Sequence, residues 1–133
     1  MSMDDYTFSL DFKVRDYECD LQGVVNNANY QHYLEHARHE FLLERGIDFA
    51  ALTAQGIHLV VTRIEMDYKR PLVSGDVFQV RLNIHRPSKV RFQFQQDIFR
   101  MPDETLILQG LVTGTALNQR GRPAIPAELE TLF

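Results

Sequence analysis

The chain has 133 residues, 44% hydrophobic and 24% charged, a composition that predicts one globular domain over residues 1–133. Acidic residues number 18 and basic residues 14, so there is no basic excess to neutralise phosphates, which argues against a nucleic-acid partner. One cysteine excludes an intrachain disulfide and, with an acidic N-terminus and no apolar run long enough for a membrane span, favours a cytoplasmic protein.

The first elements are a strand and a long amphipathic helix. Apolar and polar residues alternate over residues 6–14, as in a half-buried strand. A helix is expected over residues 28–45, capped by Asn26 or Asn27 and ended by Gly46. Its apolar stripe has helical spacing and consists of Tyr30, Tyr33, Leu34, Ala37 and Phe41.

Strands dominate the rest of the chain. The predicted elements are a short helix at 48–55, strands at 58–68, 78–85, 90–98 and 105–117, and a short closing helix at 127–132. The apolar phase shifts between Val61 and Ile64, which suggests a bulge, and Gly110 and Gly114 favour bending or close backbone approach. Because short turns favour antiparallel neighbours, we expect an α+β domain with a five-stranded antiparallel sheet against one long helix.

Asp20 is the leading candidate for a catalytic residue. It lies a few residues before a Gly-Val-Val turn and the Asn-rich start of the long helix. A helix N-terminus has unpaired N–H groups and about +0.5 of a charge, so it can hold a carbonyl oxygen. A carboxylate beside such donors is a minimal arrangement for acyl transfer. The alternative is an acid that only complements the helix dipole, for about 0.3–1 kcal/mol.

Three segments carry a resemblance to a known family. They are Asp20-x-x-Gly23-Val24-Val25 with Tyr30, the helix segment Tyr33-Leu34-x-x-Ala37-Arg38, and Tyr68-Lys69-Arg70-Pro71 before Gly75-Asp76. Together they resemble the hotdog-fold acyl-CoA thioesterases of the 4-hydroxybenzoyl-CoA type, and the resemblance spans nearly the whole chain.

The resemblance implies a sheet wrapped around the helix and hydrolysis of an acyl-CoA to a free acid and CoA, with no cofactor or metal. Asp20 would be the catalytic carboxylate, as nucleophile or general base, and the N–H near Asn27 would polarise the thioester carbonyl. The substrate-binding residues would be Gly23, Val24, Val25, Asn26, Tyr30, Arg86 and Ser88. The family forms dimers and often tetramers, so a homodimer or a dimer of dimers is expected here, which would also cover the sheet edges.

Several residues near the Asp20 motif have other interpretations. Glu18 and Asp16 are expected to be solvated loop acids rather than groups that raise the pKa of Asp20. Cys19 is expected to be a small buried filler, because no base accompanies it. The stretch from His32 to His36 fits the H-x-x-E-H zinc pattern, but both histidines lie opposite the apolar stripe, and nothing in the sequence indicates a third ligand.

Basic residues at loops and strand starts suit the phosphates of CoA or a plain solvated edge; they are Lys69, Arg70, Arg86, Lys89 and Arg91. Other functions remain open at this point. One is a noncatalytic acyl-binding module, and another is a thioesterase acting on an acyl-carrier protein. A hotdog dehydratase is disfavoured, because that chemistry usually uses a histidine and none lies between Asp20 and Asn29.

Overall fold

The structure is a computed structural model that describes residues 5–133, so residues 1–4 of the acidic N-terminus lie outside the described part of the chain. The strands and helices are β1 (Phe8–Lys13), α1 (Asn27–Glu44), α2 (Phe49–Ala54), β2 (His58–Tyr68), β3 (Val77–His85), β4 (Phe92–Met101) and β5 (Thr105–Leu117). Short 3-10 turns occupy Asp16–Glu18 and Ala127–Leu132. Within residues 5–133, no helix combines the length and hydropathy needed to cross a membrane.

Most predicted element boundaries are confirmed to within a residue or two. β2 and β5 have the predicted limits, and α1 starts one position before the prediction, at Asn27. β4 begins later than predicted, at Phe92. The preceding turn is held by the Arg86 guanidinium, which donates to the carbonyl oxygens of Ser88 at 3.3 Å and Lys89 at 2.8 Å.

The strands form one antiparallel sheet in the order β1-β3-β4-β5-β2. The expectation that consecutive strands pair is therefore wrong for β2 and β3. β2 forms one edge of the sheet, whereas β3 lies next to β1 at the other edge. The segment 69–76 crosses between them beside the start of α1. Its Leu72 is fully buried, donates its N–H to the Tyr30 hydroxyl at 3.1 Å, and accepts from Val25 N at 2.9 Å. The buried Leu72 side chain and its two backbone hydrogen bonds thus fix segment 69–76 against the start of α1.

The predicted bulge in β2 is present. The register of β2 against β5 shifts between Val61 and Arg63. β2 is also an edge strand, with Val61, Ile64 and Tyr68 exposed.

The core lies between α1 and one face of the sheet. All five residues of the predicted stripe are buried. Close packing explains the β5 glycines, because a Cβ at Gly110 would lie 3.0 Å from Leu34 Cδ1, and one at Gly114 would lie 2.8 Å from the Phe92 ring. The predicted close approach is confirmed at both glycines.

Polar groups are buried on both faces of β4. On the helix face, Gln96 accepts from Arg38 Nη1 at 2.9 Å and donates to Leu34 O at 2.9 Å. On the opposite face, Asp97 accepts from the Tyr6 hydroxyl at 2.6 Å. Arg81 lies opposite Asp97 in the strand pairing and is fully buried. The periodicity of the sequence shows which face each residue occupies but not that these polar side chains are covered.

Candidate functional site

The loop before α1 holds Asp20 in a tight turn. Asp20 N donates to Val24 O at 2.9 Å, and Gly23 N donates to Asp20 O at 3.0 Å. Gly23 has a φ of 81°, a conformation that glycine adopts without strain. The Asp20 side chain is exposed, and its Oδ1 accepts from Gln22 N at 2.8 Å. The turn therefore presents the carboxylate to solvent while its backbone stays fixed.

The start of α1 offers a free donor. Asn26 is the N-cap, and its Oδ1 accepts from Ala28 N at 2.9 Å, which confirms one of the two predicted caps. Asn29 N donates to Asn26 O at 2.9 Å. None of residues 5–133 accepts a hydrogen bond from the N–H of Asn27, the first helical residue. That N–H, at the positive end of the helix dipole, is available to a carbonyl oxygen.

A groove of about 230 Å³ lies beside this helix start. It is lined by Val24, Val25, Asn27, Tyr30, Tyr68, Lys69, Arg70 and Pro71. Val25 and Tyr30 are buried and supply an apolar floor, whereas the side chains of Lys69 and Arg70 are exposed and add positive charge. Asp20 does not itself line the groove, but its backbone N–H donates to the carbonyl oxygen of Val24, which does. The groove itself combines a free N–H, an apolar surface and two basic side chains.

Tyr30 connects the helix to the crossing segment. Its hydroxyl accepts from Leu72 N, and its ring meets the Tyr68 ring edge-on at 5.5 Å between centroids. Burial raises the pKa of Tyr30 above its ordinary value, so the hydroxyl stays protonated at neutral pH. The fixed rings of Tyr30 and Tyr68 shape the groove.

Tyr68 and Pro71 were not predicted as individual site residues. Their only sequence signal was the Tyr68-Lys69-Arg70-Pro71 segment of the family resemblance. Tyr68 ends β2, an edge strand of the sheet, and the fold places its ring against that of Tyr30 in α1.

The expectation for Glu18 is wrong. Instead of a solvated loop acid, Glu18 is buried and accepts from the Tyr33 hydroxyl at 2.9 Å. Asp16 is exposed as expected and accepts a hydrogen bond from the Ser74 hydroxyl. Cys19 is half-buried and packs against the core, which agrees with its expected role as a filler.

Arg86 and Ser88 do not line the groove. Arg86 Nη1 instead forms an ion pair with Glu130 Oε2 at 2.6 Å, which ties the β3–β4 turn to the C-terminal 3-10 turn. Of the other predicted binding residues, Val24, Val25 and Tyr30 line the groove, whereas Gly23 and Asn26 do not.

The helix histidines line a different cleft. His32 and His36 border an open space of about 850 Å³ between β1 and α1, together with charged side chains of both signs. His32 Nδ1 lies 3.3 Å from Asn29 Oδ1, and His36 Nε2 lies 3.8 Å from Glu40 Oε1. Among residues 5–133, no three His, Cys, Asp or Glu side chains converge as metal ligands would.

The family model of the thioesterase-like superfamily matches residues 14–133. The chain belongs to this superfamily. This thioesterase-like chain is 38% identical over 125 residues to the acyl-acyl carrier protein thioesterase ATL3, chloroplastic, of Arabidopsis thaliana, a match that covers 93% of this chain and 66% of that relative. The chain thus spans just under two thirds of that protein.

Two further similarities cover nearly full lengths. The chain is 30% identical over 118 residues to the long-chain acyl-CoA thioesterase FadM of Escherichia coli, with 89% of each protein covered. It superimposes on a hypothetical protein from Aquifex aeolicus with a TM-score of 0.87 at 32% identity, covering 95% of this chain and 99% of that one. The expected hotdog fold is confirmed, whereas the thioesterase activity and the 4-hydroxybenzoyl-CoA type stay predictions.

Proposed function

We propose that this protein hydrolyses an acyl-CoA thioester at the start of α1, with Asp20 as the catalytic carboxylate. The observation that carries the proposal is the free Asn27 N–H in an apolar groove that is also lined by Val24, whose carbonyl oxygen accepts from the backbone N–H of Asp20. A developing oxyanion at this N–H would be stabilised by the helix dipole, and one such donor contributes about 3–4 kcal/mol to catalysis.

Two routes suit Asp20. As a general base it would accept a proton from water, and the resulting hydroxide would attack the thioester carbon and expel the thiolate of CoA. As a nucleophile it would attack that carbon directly and expel the thiolate of CoA, which leaves a mixed anhydride that water then hydrolyses to the free acid and the Asp20 carboxylate. Both routes place the carbonyl oxygen at the Asn27 N–H, and in both the Asn27 side chain is dispensable.

The rest of the groove suits the remaining parts of the substrate. Val24, Val25 and Tyr30 would contact the acyl group, while Lys69 and Arg70 would face the phosphates of CoA. Arg86 and Ser88 would act on the nucleotide end only from a neighbouring copy of the chain. A homodimer joined along the exposed β2 edge would supply such copies, alone or as a dimer of dimers.

The test is free thiol release from a panel of short, long and aromatic acyl-CoAs by the wild type and by Asp20→Asn. We expect Asp20→Asn to lower kcat at least about 100-fold, because Asn is nearly isosteric but neither accepts a proton nor attacks. Asp16→Asn, at an exposed acid of the same loop, is the matched control and is expected to keep kcat within about 2-fold. Equal turnover by wild type and Asp20→Asn would remove Asp20 from the mechanism.

An acyl-carrier protein is the second candidate carrier, because the Arabidopsis relative carries that substrate in its name. Running the same acyl group on CoA and on a carrier protein distinguishes the two. Tight binding of both without turnover would instead indicate a noncatalytic acyl-binding module. The cytoplasmic location stays a prediction.

A further inference from the structure

Glu18 connects the Asp20 loop to the body of α1. Its carboxyl oxygen Oε1 accepts from the Tyr33 hydroxyl at 2.9 Å and from Arg15 N at 2.8 Å. Only 9% of Glu18 and 5% of Tyr33 are exposed, so water competes little for these bonds. The side chain therefore joins the loop that precedes Asp20 to the second turn of the helix.

The backbone of Glu18 reaches the first turn of the same helix. Its carbonyl oxygen accepts from Asn26 N at 2.9 Å and from Asn29 Nδ2 at 2.8 Å. One residue thus holds the N-cap, the first turn and the second turn of α1. Asp20 follows shortly along the chain, and Asn27 follows the N-cap directly, so the two reacting groups are tied to the same anchor.

The direction of the Tyr33 bond is fixed by its surroundings. Burial, followed by the hydrogen bond to Glu18, raises the pKa of Tyr33 well above its ordinary value. The Tyr33 hydroxyl therefore stays protonated at neutral pH and can donate to Glu18. Neither side chain lines the groove beside Asn27.

We propose that Glu18 and Tyr33 are positioning residues, which set the distance between the Asp20 carboxylate and the Asn27 N–H without touching the substrate. This rests on the proposed function, since the distance matters only if both groups act on one carbonyl. A catalytic group displaced by about 1 Å can lose about 100-fold in rate, so a loosened anchor is expected to lower kcat. Because the groove is untouched, KM is expected to change little.

The chain contains a matched control for this hydrogen bond. Tyr6 donates to the carboxylate of Asp97 at 2.6 Å, and this pair is also buried, but it lies on the sheet face away from α1. Tyr6→Phe and Tyr33→Phe each remove the hydroxyl that donates a hydrogen bond to a buried carboxylate. A purely structural role for Tyr33 predicts the same consequence for both variants.

The experiment compares Tyr33→Phe, Glu18→Ala, Glu18→Gln and Tyr6→Phe. With the preferred acyl-CoA, we expect kcat to fall about 10–100-fold in Tyr33→Phe and Glu18→Ala, with KM within about 3-fold of wild type. Glu18→Gln retains an oxygen that accepts from Tyr33 and is expected to stay within about 5-fold of wild-type kcat. Tyr6→Phe is expected to lower the melting temperature as much as Tyr33→Phe, with unchanged kcat.

Amide hydrogen exchange gives a readout that does not need turnover. Asn26 N–H, which donates to Glu18 O, and Asp20 N–H, which donates to Val24 O, are expected to exchange at least about 10-fold faster in Tyr33→Phe and at the wild-type rate in Tyr6→Phe. If wild type hydrolyses no thioester, the proposed function fails while the exchange data still test the anchor. Unchanged exchange in Tyr33→Phe, or an equal loss of kcat in Tyr6→Phe, would overturn the positioning role.

Discussion

Two buried tyrosine–carboxylate hydrogen bonds within residues 5–133 differ in what they connect. Tyr33 and Glu18 are 15 positions apart and join α1 to the loop that immediately precedes it. Tyr6 and Asp97 are 91 positions apart and join the N-terminal segment to β4. The first bond therefore stabilises the loop and helix start that carry the candidate site. The second holds the N-terminal segment against the sheet face that points away from α1.

The neighbours of each bond strengthen the contrast. Glu18 also accepts three hydrogen bonds from the loop and the helix start. Asp97 instead lies opposite Arg81, whose guanidinium stacks over the Phe99 ring at 4.4 Å and pairs with Glu104 at 2.6 Å. The same chemistry is therefore expected to control rate in one region and stability in the other.

The largest stability effect is expected on the Asp97 side, from Glu104→Ala. This change leaves the buried Arg81 cation without its acid, at a cost of about 1–2 kcal/mol, less than for a fully buried pair because half of the Glu104 side chain is exposed. Urea denaturation measures the loss, and kcat of the folded enzyme is expected to stay at the wild-type value. Glu104→Gln, which keeps an acceptor oxygen, is the control. Unaltered stability in Glu104→Ala would mean that water replaces the acid.

A smaller loss of stability is expected from removing the N-cap of either helix, and kcat distinguishes the two variants. Asn26 accepts from Ala28 N at 2.9 Å, and Asp48 accepts from Ala50 N at 2.8 Å at the start of α2. Asn26→Ala and Asp48→Ala are each expected to cost about 1 kcal/mol of unfolding free energy. Only Asn26→Ala is expected to lower kcat, because Asn26 directly precedes the N–H proposed to bind the carbonyl. An equal kcat in both variants would place the oxyanion site elsewhere.

The smallest expected effect is the contribution of Asp97 to the pH dependence of the unfolding free energy. Burial raises the pKa of Asp97, and the hydrogen bonds from Tyr6 and Gln95 oppose that rise without cancelling it. A raised pKa in the folded state adds stability below the ordinary pKa of Asp, and this contribution is lost as the pH rises through the folded value. Asp97→Asn is thus expected to gain stability over wild type as the pH is raised from acid to neutral. Parallel stability curves, followed by urea denaturation, would contradict this.

Local patterns in the sequence were sufficient for most of the fold. The stripe of α1, the limits of β2 and β5, the bulge after Val61 and the N-cap at Asn26 each depend on neighbours within a few positions. Helical and strand periodicity report which face of an element is buried, and capping depends on the side chain at one position. The Asp20 turn was identified for the same reason.

The sequence by itself determined the element types, the superfamily resemblance and the Asp20 loop beside a helix start. Only the tertiary structure decided that Tyr68 meets Tyr30, and that Glu18 is buried against Tyr33 while Asp16 stays exposed. Both acids stand in one polar loop, and nothing local distinguishes them. Their difference arises because burial depends on which distant surfaces meet, and those contacts exist only once the chain has folded.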